Sequence, residues 1–171
     1  MSDQFRTGKN HVTDIRKVLD FVAGKWPGPI FPAGTSRGTV SVAHLATALQ
    51  DQRVSGIVLT SSIGASRPSR TDGLPRSLFD IPLDNITIPV LFVHHKEDGC
   101  WASTYADAVR LRKRVTKSLK VDFIEVQGGD PPQSEPCEAK SQHGYLGKER
   151  EVVSAITDWI LGKPVPAQIG P

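Results

Sequence analysis

Pro32-Ala33-Gly34-Thr35-Ser36-Arg37-Gly38-Thr39-Val40-Ser41 is the stretch on which the reading of this chain turns. Before the serine lies a short apolar run, residues 28–34, Gly-Pro-Ile-Phe-Pro-Ala-Gly. After it, residues 37–50 take up helical spacing with Val40, Ala43, His44 and Ala46 to Leu49. A strand that passes directly into a helix must turn sharply at Ser36. A turn that tight calls for small residues two positions away on each side, and Gly34 and Gly38 stand there. Such a turn lifts one hydroxyl clear of the backbone at the carboxyl end of a strand. The five letters alone are a weak signal, and the strand before and the helix after them make it specific.

Outward from this turn the chain alternates. Residues 9–24 carry Val12, Ile15, Val18, Leu19 and Val22 at helical spacing, and Gly24 and Pro27 close that helix. Residues 54–62 and 89–95 read as buried strands, the second being the strongest in the chain. Between them, residues 64–86 are rich in Ser, Arg, Pro, Asp and Gly and read as a polar excursion. A helix is expected at roughly 102–116, a half-buried strand at 121–126, and a last helix at about 147–161 with Val152, Val153, Ile156, Trp159 and Ile160 on one stripe. The tail after Gly162, with Pro164, Pro166 and Pro171, is expected to be mobile. Near-continuous apolar strands alternating with helices imply an α/β fold, a mainly parallel sheet of about four strands covered on both faces. One domain is expected over 1–163 and a tail over 164–171.

Composition narrows the function classes. The chain has 171 residues, 38% of them hydrophobic, and a net charge of +3. That length supports one domain with its own core. No apolar run reaches membrane-span length, and Met1-Ser2-Asp3-Gln4-Phe5 lacks a secretory pattern, so no membrane association is expected. Arg110-Leu111-Arg112-Lys113-Arg114 lies in a helical segment and reads as a solvated face, with no aromatic platform to make it a nucleic-acid site. The two cysteines, Cys100 and Cys137, form no CxxC and cannot by themselves make a four-ligand zinc site. Gly128-Gly129-Asp130 matches neither phosphate-cradling pattern. No metal or organic cofactor is expected.

A serine hydroxyl is a poor nucleophile until a base lies within hydrogen-bond reach and donors await the developing oxyanion. The acid that would orient such a base belongs on the loop after a later parallel strand. Asp98 stands there in Lys96-Glu97-Asp98-Gly99-Cys100, and Glu97 is its rival because loop position alone does not separate neighbours. The base belongs on a loop after the last strand, where His143 stands in Ser141-Gln142-His143-Gly144-Tyr145. His11 and His44 fall on helices and His94 and His95 within a strand, and all four fit less well.

With these residues in order, the chain resembles the α/β-hydrolase family. The matching stretches are Pro32 to Ser41, Pro89-Val90-Leu91-Phe92-Val93-His94-His95-Lys96-Glu97-Asp98, and Gln142-His143-Gly144-Tyr145. The resemblance implies a serine esterase working through an acyl-serine intermediate on a small or accessible ester. In it Ser36 attacks, His143 acts as base and then acid, Asp98 orients the imidazole, and the backbone N–H of Arg37 is one oxyanion donor. Trp101 and Tyr145 flank the acid and the base in sequence and are expected to line the substrate pocket.

The family usually places its nucleophile strand fifth of eight, whereas here one helix precedes it. The chain therefore resembles the C-terminal part of the fold, a truncated α/β-hydrolase. Strand 28–34 is then an exposed edge, which invites a homodimer. The family's second oxyanion donor comes from a part this chain lacks, at a cost on the order of 10²–10³ in turnover. The resemblance also puts Cys100 and Cys137 on loops at the same end of the sheet. A disulfide between them is expected over two free thiols, and it implies a site of action outside the reducing cytoplasm. Two other readings stay open, a hydrolase-like module that binds or assembles, and an acyltransferase with the same intermediate.

Overall fold

A computed structural model describes residues 2–65 and 76–171. Of the polar excursion expected over 64–86, residues 66–75 lie outside the described residues, and short 3-10 turns occupy Leu78–Asp80 and Leu83–Asn85. Five strands form one parallel sheet in the order β1-β2-β3-β4-β5: β1 (Ala33–Thr35), β2 (Ile57–Thr60), β3 (Val90–His95), β4 (Val121–Val126) and β5 (Gln168–Ile169). Four of them were expected, and the fifth is a correction. Residues 164–171 do not hang as a free tail. The backbone N–H of Gln127 donates to the Ile169 carbonyl at 2.8 Å, Glu125 N–H donates to Ala167 at 3.0 Å, and the Ile169 side chain is buried.

β3 lies between β2 and β4 and is buried at all six positions. Alternation sorts its side chains onto two faces. Val90 and Phe92, with Ile57 and Leu59 of β2, face a core formed with α2 (Lys9–Lys25), α3 (Arg37–Leu49) and α4 (Tyr105–Arg112). Leu91 and Val93, with Val58 and Ile124, face α5 (Glu149–Ile160), which adds Val152, Ala155 and Trp159. Each fully buried large side chain, Phe92 among them, contributes about 1.5–3 kcal/mol. A short helix α1 (Asp3–Arg6) precedes α2.

The strand expected at 28–34 is shorter than the apolar run. Pro29 and Pro32 have no N–H to give a ladder. The segment runs beside its neighbour through a single bridge, Ile30 to Val54, before pairing properly at Ala33–Thr35. β1 has no partner on its outer side among the described residues. There a groove of about 370 Å³ lies between α2 and the β1–α3 unit, walled by Ile15, Leu19, Ile30, Phe31 and Val42. Val18 and Phe21 of α2, and Trp26 just after it, are exposed nearby.

The two elbow glycines are not equivalent. A Cβ on Gly34 would lie 2.5 Å from the carbonyl oxygen of Gly38, a backbone atom that cannot swing aside. A Cβ on Gly38 would meet nothing within 4 Å, and its φ is not positive. The small residue is therefore required on one side of Ser36 only. Gly34→Ala is expected to destabilise the fold by about 2–4 kcal/mol. Gly38→Ala, at a helical position, should be neutral or gain up to about 1 kcal/mol. Urea unfolding of the two variants checks this, and equal losses would contradict it.

Candidate active site

All the strands run the same way, so the loops after β1, β2, β3 and β4 collect at one end of the sheet. Ser36 occupies the first of these. Its backbone sits at φ 53°, ψ −125°, a conformation that costs a non-glycine residue about 1–3 kcal/mol and persists only where the surroundings hold it. They do so here. Ser36 N–H donates to the Thr60 carbonyl at 3.0 Å, and the Ser36 carbonyl accepts from Thr39 N–H at 2.9 Å and Thr39 Oγ1 at 2.6 Å. The Ser36 side chain makes no capping bond to α3. Arg37 is the first residue of that helix, where backbone N–H groups lack intrahelical partners and the helix dipole favours negative charge.

The loop after β3 presents Asp98, whose side chain has no solvent exposure. Its Oδ1 accepts from the Cys100 N–H at 2.9 Å, and its Oδ2 accepts from Ser103 Oγ at 2.7 Å and lies 2.9 Å from His143 Nδ1. Glu97, the alternative acid, is exposed, and its backbone N–H donates to His95 Nδ1 at 3.1 Å. Geometry thus places Asp98, not Glu97, against the histidine. An ionised carboxylate only accepts, so Nδ1 carries a proton, and in the neutral imidazole Nε2 is then the acceptor. Nε2 is buried and has no hydrogen-bond partner among the described residues.

His143 is held by a stitched loop. Its N–H donates to Ser141 Oγ at 3.2 Å, and Leu146 N–H donates to the Ser141 carbonyl at 3.1 Å. Gly144 follows directly, and any Cβ there would strike the Ala139 carbonyl oxygen at 1.9 Å. The Cys100–Cys137 disulfide joins this loop to the acid loop across 37 positions of sequence. Closing a loop of that size stabilises by about 4 kcal/mol in the chain-entropy picture. The bridge also ties two elements whose relative placement sets the Asp98–His143 bond.

Ser36 and His143 meet the same short segment. Thr60 accepts from the Ser36 N–H, and the next residue, Ser61, donates its Oγ to the His143 carbonyl at 2.7 Å. Three participants hold roles that were not read from the sequence, although His94 was weighed there as a base. Ser61 is one. Ser103, fully buried, is the second. His94 is the third: its Nε2 lies 2.9 Å from the Ser103 carbonyl and 3.7 Å from Asp98 Oδ2. Because a carbonyl can only accept, Nε2 of His94 carries its proton, and burial pushes this imidazole below its ordinary value. A lone serine carries no motif, so nothing in the sequence could have flagged Ser61 or Ser103.

Of the two aromatic residues expected to line a pocket, Trp101 is partly exposed beside Cys100. Tyr145 is placed differently. It is buried in the core beneath α5, with its hydroxyl donating to the Val93 carbonyl at 2.8 Å and accepting from the Ser61 N–H at 3.0 Å. Burial pushes its phenol above the usual range. Its evident task is to tie the end of β2 to the end of β3. The basic cluster at the end of α4 is a solvated face, with Arg110, Arg112 and Lys113 exposed; Arg110 pairs with Asp107 at 3.1 Å and lies over the Phe79 ring, and Arg114, just past the helix, donates to the Phe79 carbonyl at 2.6 Å. Among the described residues no helix is long and apolar enough to cross a membrane.

Neither a family model nor a curated protein matches this sequence. Solved structures do resemble it. A ferulic-acid-bound Est1E from Butyrivibrio proteoclasticus aligns over 89% of this chain and 67% of its own, at 21% identity and a TM-score of 0.60. A bromoperoxidase from Bacillus anthracis aligns over 88% of this chain and 72% of its own, at 11% identity and a TM-score of 0.58. The esterase domain of a Rhodothermus marinus protein aligns over 86% and 69%, at 17% identity and a TM-score of 0.52. What this chain shares with them is the fold, over 67–72% of their length.

Proposed function

We propose that this chain, an α/β-hydrolase in fold, is a serine hydrolase that cleaves small or accessible carboxylic esters through an acyl-serine intermediate. The observation that carries the reading is the Asp98–His143 bond of 2.9 Å, which in the neutral imidazole places the proton on Nδ1 and leaves Nε2, unpartnered among the described residues, as the acceptor. The strained serine stands one hydrogen-bonded segment away. In this reading Nε2 takes the Ser36 hydroxyl proton as Oγ attacks the ester carbonyl. Asp98 stabilises the imidazolium that forms, and the imidazolium returns the proton to the leaving alkoxide. Water, deprotonated by the same Nε2, then opens the acyl-serine to the acid product and restores Ser36.

The Arg37 N–H, at the start of α3, serves the oxyanion. The test is pre-steady-state hydrolysis of an activated aryl ester by the wild type and Ser36→Ala. The expected result is a burst and turnover in the wild type, both lost by about 10³-fold or more in the variant. Equal slow rates in the two proteins would defeat the enzyme reading and favour a module that binds or assembles.

The open edge belongs, in the same reading, to a second copy of the chain. Unpaired strand backbone invites another strand. Here it lies beside an apolar groove and exposed Val18, Phe21 and Trp26. Light scattering at micromolar concentration is expected to give a dimer, and Phe21→Glu with Trp26→Glu a monomer. A monomeric wild type would contradict the assignment.

A further inference from the structure

We propose that Ser103 is a positioning residue for the Asp98–His143 pair. The proposal rests on the serine-hydrolase reading above and adds to it a role for a residue that touches neither the serine nor the substrate. Ser103 is fully buried, and its hydroxyl reaches both members of the pair: Oγ lies 2.7 Å from Asp98 Oδ2 and 3.3 Å from His143 Nδ1. The protons can be assigned from the chemistry of the groups. The carboxylate accepts, so the Ser103 proton goes to Oδ2. The Nδ1 proton also points at Oδ2, and a lone pair of Ser103 Oγ lies beside it. The Nδ1–H therefore sits in a fork, with Oδ2 as the near acceptor and Oγ as the far one. A single acceptor fixes the distance to an imidazole but leaves its tilt loose. A second acceptor on one side limits the tilt, and with it the direction of the Nε2 lone pair.

Ser103 is itself placed with little freedom. Its N–H donates to the Cys100 carbonyl at 3.0 Å, so the disulfide-bearing residue holds one side. Its carbonyl accepts from His94 Nε2 at 2.9 Å, so the central strand β3 holds the other. The next residue, Thr104, caps α4 by accepting from the Asp107 N–H at 3.2 Å. Among the described residues Asp98 thus receives three hydrogen bonds, from the Cys100 N–H, Ser103 Oγ and His143 Nδ1, and of these donors Ser103 alone bonds the carboxylate while also standing beside the imidazole.

The test compares Ser103→Thr with Ser103→Val, two side chains of nearly equal volume that differ in the hydroxyl. Any crowding in this buried position falls on both alike. Turnover of an activated aryl ester is measured for each, with Ser36→Ala as the background, together with the downfield proton resonance of His143 Nδ1–H. Ser118→Ala serves as a control, since among the described residues its Oγ bonds the Ile88 and Lys120 carbonyls and the Lys120 N–H, at the end of the sheet opposite the pair. Ser103→Thr should keep kcat and the resonance close to wild type. Ser103→Val should lose about tenfold in kcat with KM unchanged, and should shift the resonance. Ser118→Ala should move neither. If Ser103→Val matches Ser103→Thr in both kcat and the resonance, the proposal is overturned. A wild type without Ser36-dependent turnover would instead defeat the hydrolase reading, and the resonance alone would then decide whether Ser103 positions the histidine.

Discussion

A carboxylate withdrawn from water must be met by donors, because an unpaired buried charge costs several kcal/mol. Asp98 is such a group, and the chain meets the demand from three directions: the backbone of its own loop at Cys100, the hydroxyl of Ser103 and the imidazole of His143. The last of these links the loop after β3 to the loop after β4. Much of the nearby structure follows from the need to keep that link in place. The disulfide joins the same two loops, Ser141 knots the histidine loop, and Ser61 and Tyr145 bind the histidine loop to the ends of β2 and β3.

The pattern of the fold was legible because burial on both faces leaves a plain mark in sequence. Residues 89–95 could hardly be anything but a central strand, and β3 is Val90–His95. Where proline intervened, the reading failed in both directions. Pro29 and Pro32 sit in an apolar run that looks like a full strand, yet they cannot supply a ladder, so only Ala33–Thr35 pairs. Pro164 and Pro166 made the last residues look like a loose tail, yet Ile169 packs into the core and its backbone joins β4. Composition describes what proline forbids locally, and it says nothing of what the next residues do.

The candidate site was legible in the residues that chemistry singles out, and less so in those that hold them. Asp98 and His143 could be named from their loops, and exposure then separates Asp98 from Glu97. Ser103, Ser61 and His94 act through contacts that no spacing encodes. Tyr145 shows the opposite error: adjacency to His143 in sequence suggested a pocket wall, while its left-handed backbone, φ 63°, turns the side chain into the core. The elbow shows a subtler one. The symmetric glycine pattern conceals an asymmetric need, since Gly34 faces backbone and Gly38 faces open space along the groove beside β1.

The central claim is that the strained Ser36 is activated by the Asp98–His143 pair. The most direct measurement is covalent labelling with a fluorophosphonate, which reacts with a serine only when a base draws off its proton. Peptide mass spectrometry of the labelled protein should find one adduct per chain, on Ser36, and labelling should slow by orders of magnitude in His143→Ala. An unlabelled Ser36, or one that reacts at the same rate in His143→Ala, would contradict the account.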